Sequence, residues 1–163
     1  MMTCAFCKIV RGDTAARVVW TSTDVIAFLP LKPATRGHTL VMPKRHVPDL
    51  WSIDRQLGSS LMAAVVEVGR AIEKALDPDG MNLISSAGRV ASQTVFHLHL
   101  HLVPRWPDDR IGNIWPPSEP WSEEELDDVA ALIRAAFSRQ TLPTESVDQD
   151  QDDTEQEDDS IER

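Results

Sequence analysis

Three histidines alternate with apolar residues in one short segment, and this pattern constrains the fold more than any other part of the sequence. Successive side chains of a β-strand point to opposite faces, so His97, His99 and His101 are predicted to share one face. They would lie about 6.5–7 Å apart along the strand, which is too wide for all three to bind one zinc ion at about 2.0–2.1 Å. The pattern therefore predicts a strand over residues 95–103, with one packed face and one face of imidazoles.

Hydropathy periodicity predicts the other elements of an α+β fold. Four further strands are predicted, at residues 17–21, 25–29, 37–43 and 81–85. A long helix is predicted over residues 54–76, because apolar residues recur there at spacings of three and four. After a loop rich in Pro and Trp, a Ser-Glu-Glu-Glu capping pattern predicts a C-terminal helix ending near Phe137. Tight turns between the strands favour a mostly antiparallel five-stranded sheet.

The charge of the chain is concentrated at one end. The formal net charge is −10 over 163 residues, and residues 145–163 alone hold ten acidic side chains and one Arg. No basic excess is available to bind duplex nucleic acid, and no apolar run approaches the ~20 residues that span a bilayer. Two cysteines cannot form a disulfide scaffold, and the first residues are not a signal peptide. We therefore expect a cytoplasmic protein with one domain at 1–143 and a disordered acidic tail at 144–163.

Three segments in register resemble the histidine triad (HIT) superfamily. Residues 93–105 read QTVFHLHLHLVPR and are similar to its H-x-H-x-H signature. Residues 37–46 read GHTLVMPKRH and are similar to its G-H-x-L-V-x-P-K-x-H segment. The N-terminal C-x-x-C and the residues after it are similar to the bacterial members. The resemblance covers about residues 3–106 and implies a HIT-like fold.

This resemblance also implies an activity. In such proteins the middle histidine, here His99, attacks the α-phosphorus of a nucleotide and forms a nucleotidyl-histidine, which water or another acceptor resolves. Neutral imidazole suits this role because its ordinary pKa is about 6.5. The expected function is a nucleotide hydrolase or nucleotidyl transferase, hydrolysis being favoured, acting on a nucleoside phosphoramidate, a dinucleoside polyphosphate or a related compound. The alternative is a zinc-stabilised nucleotide-binding regulatory module with little turnover. Family members also form homodimers.

The same matching implies roles for further polar residues. His101 and His38 are expected to contact the phosphate or the leaving group. Gln93 and Thr94 are expected to donate hydrogen bonds to phosphate oxygens, and ordinary loop polarity is the alternative for these two.

Four positions bear on how the nucleoside would be bound. The resemblance places Pro30 where relatives carry an Asp that holds the ribose hydroxyls, and the side chain of Pro30 accepts no hydrogen bond. Ser86 stands where relatives carry an Asn, and its hydroxyl can still form a hydrogen bond. Phe28 and Leu31 are expected to line an apolar pocket for the base, with plain core packing as the alternative.

Cys4 and Cys7 form a C-x-x-C pair with three interpretations. A redox pair is disfavoured because no βαβ context follows, and two structural thiols are the second interpretation. Zinc is favoured, because C-x-x-C is a common ligand pair and zinc-bearing relatives add two histidines, here His46 and His97. Four protein ligands would close the site, so the zinc would be structural and would tie the N-terminus to the sheet.

Overall fold

The computed structural model describes residues 4–115, 117 and 120–137 of the chain. They form two compact units, one ending at Trp115 and one that follows it. The predicted tail at 144–163 lies outside the described residues, and the domain boundary at residue 143 stays a prediction.

The first unit contains five strands, two helices and one 3₁₀ turn. In chain order its elements are α1 (Ala5–Arg11), β1 (Arg17–Thr21), β2 (Val25–Leu29), β3 (Thr39–Pro43), the 3₁₀ turn (Leu50–Ser52), α2 (Arg55–Leu76), β4 (Gly80–Ser85) and β5 (Leu100–Arg105). All neighbouring strands are antiparallel, and the sheet order is β1-β2-β3-β5-β4. The predicted α+β fold with a five-stranded antiparallel sheet is confirmed. Helix α1 was not predicted, because a helix of seven residues is too short to show a period.

Helix α2 covers one face of the sheet and builds the larger core. Asp54 caps its first turn by accepting a hydrogen bond from the amide of Leu57 (2.8 Å), and Asp77 ends it in the left-handed conformation. The buried face has the spacing that the sequence predicts, and its members are Leu57, Leu61, Ala64, Val65, Val68 and Ile72. Each large aliphatic side chain buried in this way contributes about 1.5–3 kcal/mol. The helix therefore fixes the sheet on which the histidines stand.

Helix α1 packs against the opposite face and builds a smaller core. Phe6, Ile9 and Val10 lie against a cluster of strand residues that includes Phe28 and Leu40. The helix ends at Gly12, whose positive φ of 80° lets the chain turn toward β1. This packing holds the C-x-x-C segment at the end of β3, beside the histidines.

The histidine segment differs from its prediction, because β5 begins at Leu100 and includes only the last histidine of the three. The β3 ladder pairs with β5 only as far as Val41 opposite Leu100. Before that point the backbone leaves the sheet, and the amide of Leu98 donates to the carbonyl of Val47 (2.7 Å). Phe96, expected on the packed face, is 38% exposed, with the guanidinium of Arg89 over its ring.

The second unit contains α3 (Glu123–Phe137). The predicted capping box opens it: the amide of Ser122 donates to the Glu125 carboxylate (2.9 Å), and the amide of Glu125 donates to the Ser122 hydroxyl (3.2 Å). None of the helices in the described part of the chain is both long and apolar enough to cross a membrane.

Candidate active site and metal centre

A left-handed glycine places the first histidine of the site. Gly37 has a φ of +79°, and a Cβ atom built on it would lie 2.2 Å from the Cδ1 atom of Leu76. The left-handed conformation therefore favours glycine at this position, and a larger residue would also displace the end of the Leu76 side chain. The next residue, His38, is buried and lies beside His101.

Hydrogen bonds orient His38 and His101 as a directed pair. The amide of Ala34 donates to Nδ1 of His38 (3.0 Å), so this nitrogen carries the lone pair and Nε2 carries the proton. Nε2 lies 2.9 Å from Nδ1 of His101 and donates to it. His101 therefore holds its own proton on Nε2. Burial lowers the pKa of His38 and lowers the pKa of His101 to about 4, so both rings are neutral at pH 7.

His99 has the opposite tautomer. Its Nδ1 lies 2.7 Å from the carbonyl oxygen of His97 and can only donate to it, so the Nε2 atom carries the lone pair. The ring is buried and packs against the rings of Phe6 and His101, with centroid distances of 5.0 and 4.9 Å. Burial lowers the pKa of His99, and the hydrogen bond to the carbonyl of His97 partly offsets this decrease. A neutral ring with a lone pair on Nε2 is a competent nucleophile.

The other two histidines of the site, His46 and His97, lie beside the two cysteines. One ligand atom from each of Cys4, Cys7, His46 and His97 lies within 4.8 Å of the others. The Nε2 proton of His97 is donated to the carbonyl of Pro43 (2.8 Å), which leaves the Nδ1 lone pair for a metal. Burial, and then the neighbouring thiol of Cys4, raise the pKa of Cys7, so a thiolate there needs a cation to stabilise it.

The distances between these four ligand atoms fit a tetrahedral zinc ion. Bond lengths of about 2.3 Å to sulfur and about 2.0–2.1 Å to nitrogen require tetrahedron edges of about 3.3 Å between two nitrogens and about 3.6 Å between nitrogen and sulfur. The Nδ1 atoms of His46 and His97 are 3.3 Å apart, and Nδ1 of His97 is 3.6 Å from both sulfurs. Nδ1 of His46 lies 3.3 Å from the sulfur of Cys7, slightly shorter than the ideal edge. The predicted four ligands therefore come together, and the donor set is one that zinc prefers.

Two predicted phosphate donors occupy different environments. Gln93 is buried, and its side-chain amide accepts from the amide of Gly88 (2.8 Å) and donates to the carbonyls of Pro48 (2.7 Å) and Val95 (3.2 Å). These contacts hold the loop that precedes the histidine segment. Thr94 is exposed, and its contact with phosphate stays a prediction.

Ser86, Phe28 and Leu31 are the other residues that the sequence predicts to bind the nucleoside. Ser86 directly follows Ser85, the last residue of β4, which pairs with Leu100, the first residue of β5. An apolar cavity of about 440 Å³ lies between α1 and the end of β2, within the size range of small-molecule sites. Both Phe28 and Leu31 line it, although Phe28 is almost fully buried and Leu31 is 86% exposed.

The groups that orient the rings were not identified from the sequence. They are the backbone amide of Ala34 and the backbone carbonyls of Pro43 and His97. Every residue type presents such groups, so no residue type in the sequence marks them. Their role is visible only in the folded structure, where each of these groups forms a hydrogen bond with a ring nitrogen.

Comparison with known proteins agrees with this geometry. The model of the HIT domain matches residues 11–108. The chain is 35% identical over 132 residues to Protein hit of Bacillus subtilis, which covers 80% of this chain and 91% of the relative. It is 34% identical over 126 residues to the adenosine 5'-monophosphoramidase hnt1 of Schizosaccharomyces pombe, with 77% and 91% covered.

Solved structures share the fold. A crystal structure of a member of the HIT family of proteins from Bacillus subtilis superposes with a TM-score of 0.77 at 34% identity, covering 82% of this chain and 96% of that one. A Zn-bound histidine triad family protein from Mycobacterium smegmatis superposes with a TM-score of 0.64 at 36% identity, covering 83% and 98%.

Proposed function

Because this chain belongs to the HIT domain family, we propose that it hydrolyses a nucleotidyl bond through a covalent intermediate on His99. The single observation that carries the proposal is the pair of opposed tautomers. The Nδ1 proton of His99 is held by the carbonyl of His97, and His101 keeps its proton on Nε2. One ring thus offers a lone pair and its neighbour offers a donor. A nearby relative is named as an adenosine 5'-monophosphoramidase, which supports a nucleotide substrate.

The reaction takes two displacements at phosphorus. In the first, Nε2 of His99 bonds to the α-phosphorus while the bond to the leaving group breaks, and the Nε2 proton of His101 is the hydrogen-bond donor to the leaving atom. In the second, water attacks the phosphorus and breaks the bond to His99, which releases a nucleoside monophosphate. The leaving atom takes the Nε2 proton of His101 in the first step, and the attacking water returns a proton to that nitrogen in the second. Overall, water therefore supplies the hydroxyl group of the product and, through His101, the proton of the leaving group. A nucleoside phosphoramidate, a dinucleoside polyphosphate or a related compound fits this scheme.

The proposed cofactor is one structural zinc ion held by Cys4, Cys7, His46 and His97. Four protein ligands leave no open position, so the ion supplies stability and takes no part in the displacement. His97 would be a ligand through its side chain while its carbonyl orients His99. The Zn-bound relative from Mycobacterium smegmatis supports this proposal.

Trapping the intermediate tests the proposed function. Full-length protein is mixed with adenosine 5'-monophosphoramidate and denatured without acid, and an added nucleotidyl mass on the segment containing His99 is expected. His99→Ala should form no adduct and lose several powers of ten in rate, while still binding adenosine monophosphate. A variant that keeps more than about a tenth of the rate rules out the covalent mechanism.

The second candidate function is the nucleotide-binding regulatory module, and Pro30 favours it because a weakened ribose contact reduces productive binding. Binding without an adduct and without turnover would identify the module. Adding alcohols or anionic acceptors to the native protein during turnover separates hydrolysis from transfer, because a transferase passes the nucleotidyl group to the acceptor.

We also propose a homodimer, located in the cytoplasm. Strand β4 is an edge of the sheet, and Leu83 on β4 is 47% exposed. Met62 and Val66 on α2 are also about half exposed. Light scattering on the full chain measures the mass in solution and decides between monomer and dimer.

A further inference from the structure

A second cavity, of about 550 Å³, lies next to the apolar cavity and is lined at one end by His38. The two cavities share a wall made of Arg17 and of Leu29, Pro30 and Leu31 at the end of β2. His38 lines the second cavity and is hydrogen-bonded to His101. A nucleotide with its base in the apolar cavity therefore places its sugar near Pro30, between the two spaces.

The second cavity is basic. Arg17 and Arg36 both line it, and Lys8 lines the apolar cavity beside it. Among the residues that the structure describes, no Asp or Glu lines either space. Neither arginine belongs to an ion pair formed within the described ranges, so both guanidinium groups are available to a ligand.

This arrangement suits an anion better than a sugar hydroxyl. Ribose hydroxyls are donors that need acceptors, and the wall at Pro30 has no side-chain acceptor. Guanidinium groups are donors only, and they match phosphate oxygens in geometry and charge. In dinucleotide-binding α/β folds, a carboxylate near the ribose binds its hydroxyls, whereas an arginine at that place accommodates a 2'-phosphate, and the same chemistry applies to guanidinium groups beside a sugar here.

We propose that the cavity lined by Arg17 and Arg36 binds a second phosphoryl group of the substrate, separate from the phosphorus that His99 attacks. This inference rests on the proposed nucleotide substrate. The second phosphate has two possible sources, the ribose itself or a polyphosphate chain beyond the α-phosphorus. Both sources present the same chemistry to the two arginines.

Calorimetric titration of the full-length, zinc-supplemented protein tests the proposal without requiring turnover. The ligands are adenosine monophosphate, adenosine 3',5'-bisphosphate, adenosine 2',5'-bisphosphate and adenosine diphosphate. At least one ligand with two phosphates should bind about tenfold or more tightly than the monophosphate at low salt. Preference for a bisphosphate identifies a ribose phosphate, and preference for the diphosphate identifies a polyphosphate chain. Equal binding of all four ligands overturns the proposal.

Variants that each remove one positive charge test whether the preference for a second phosphate depends on Arg17 and Arg36. Arg17→Gln and Arg36→Gln should each reduce the affinity ratio between the preferred ligand and the monophosphate to less than about threefold. Arg70→Gln removes the same charge from the exposed surface of α2, outside both cavities, and should keep the wild-type ratio. A ratio unchanged in both cavity variants also overturns the proposal. If the preference is found but no adduct forms on His99, the subsite stands and the proposed hydrolysis fails.

Discussion

In His38, His97 and His99, a hydrogen bond to the backbone determines which ring nitrogen carries the lone pair. Carbonyl oxygens accept hydrogen bonds from the ring N–H groups of His97 and His99, and a backbone amide donates one to His38. The free nitrogen is consequently Nδ1 in His97, which faces the cysteines, and Nε2 in His99. Identical side chains two residues apart thus present different ring nitrogens, one suited to the proposed metal binding and the other to the proposed attack on phosphorus.

The activity should persist well below neutral pH. Burial lowers the pKa values of His99, His38 and His101, the last to about 4. A lowered pKa keeps an imidazole neutral at pH values where a free one, with a pKa of about 6.5, is already charged. We therefore expect the rate of adduct formation to fall, as the pH is lowered, with a midpoint below about pH 6.5. Rapid-quench measurements at constant ionic strength check this, and a midpoint at pH 6.5 or above contradicts it.

Replacing Pro30 should restore a contact with ribose. The wild type is expected to bind adenosine monophosphate weakly and to distinguish little between ribose and deoxyribose. In Pro30→Asp, a carboxylate accepts hydrogen bonds from the hydroxyls, each worth about 1.5–3 kcal/mol before water is discounted. We expect the ribonucleotide to bind more tightly by about 2 kcal/mol and the deoxyribonucleotide to change little.

Pro30→Ala is the control for this experiment, because removing proline also frees the backbone. Titrating the three proteins with both sugars separates the two effects. If the wild type already prefers ribose strongly, another group holds the hydroxyls, and the role of Pro30 is wrong.

At the scale of elements, periodic and capping patterns in the sequence predict helices correctly, whereas the point at which the histidine segment leaves the sheet is not predicted. The spacing in α2 and the Ser122 capping box are local signals, and both elements form as predicted. The histidine alternation is also local, but β5 begins only at Leu100. The earlier part of that segment is positioned by distant groups, the carbonyls of Pro43 and Val47. A pattern within one segment contains no information about such partners.

The candidate metal centre brings together ligands from three separate parts of the chain. Its ligands come from the start of α1, from the turn after β3 and from the segment before β5. We expect one zinc ion per chain by elemental analysis of protein purified without chelator. Cys4→Ser should lower the melting temperature by more than about 5 °C, because the binding free energy of a closed site is folding free energy.

Ser85→Ala, on β4 and outside the four ligands, serves as the matched control and should change the melting temperature little. Removing the metal with a chelator should destabilise the wild type and leave Cys4→Ser almost unaffected. Protein that contains no metal, or a Cys4→Ser variant as stable as the wild type, contradicts the zinc proposal.

For the whole molecule, the distribution of charge follows the division into units. Residues 1–115 hold 13 Lys and Arg against 10 Asp and Glu, a net charge of +3. The remaining residues hold 3 Lys and Arg against 16 Asp and Glu, a net charge of −13. The unit with the proposed catalytic histidines is therefore mildly basic, which favours the approach of anionic ligands, although the chain as a whole is acidic.

Deleting residues 147–163 tests whether the acidic end acts on that site. From its composition, this segment is predicted to be disordered, and a disordered segment has no packing contacts to lose. We expect the melting temperature to change by less than about 2 °C and the nucleotide affinity to remain within about twofold at physiological salt, where the Debye length is only about 8 Å. Calorimetry and titration of both chains at two salt concentrations measure this. A drop of many degrees would show that the segment docks, and a gain in affinity confined to low salt would show that it competes with anionic ligands for Arg17 and Arg36.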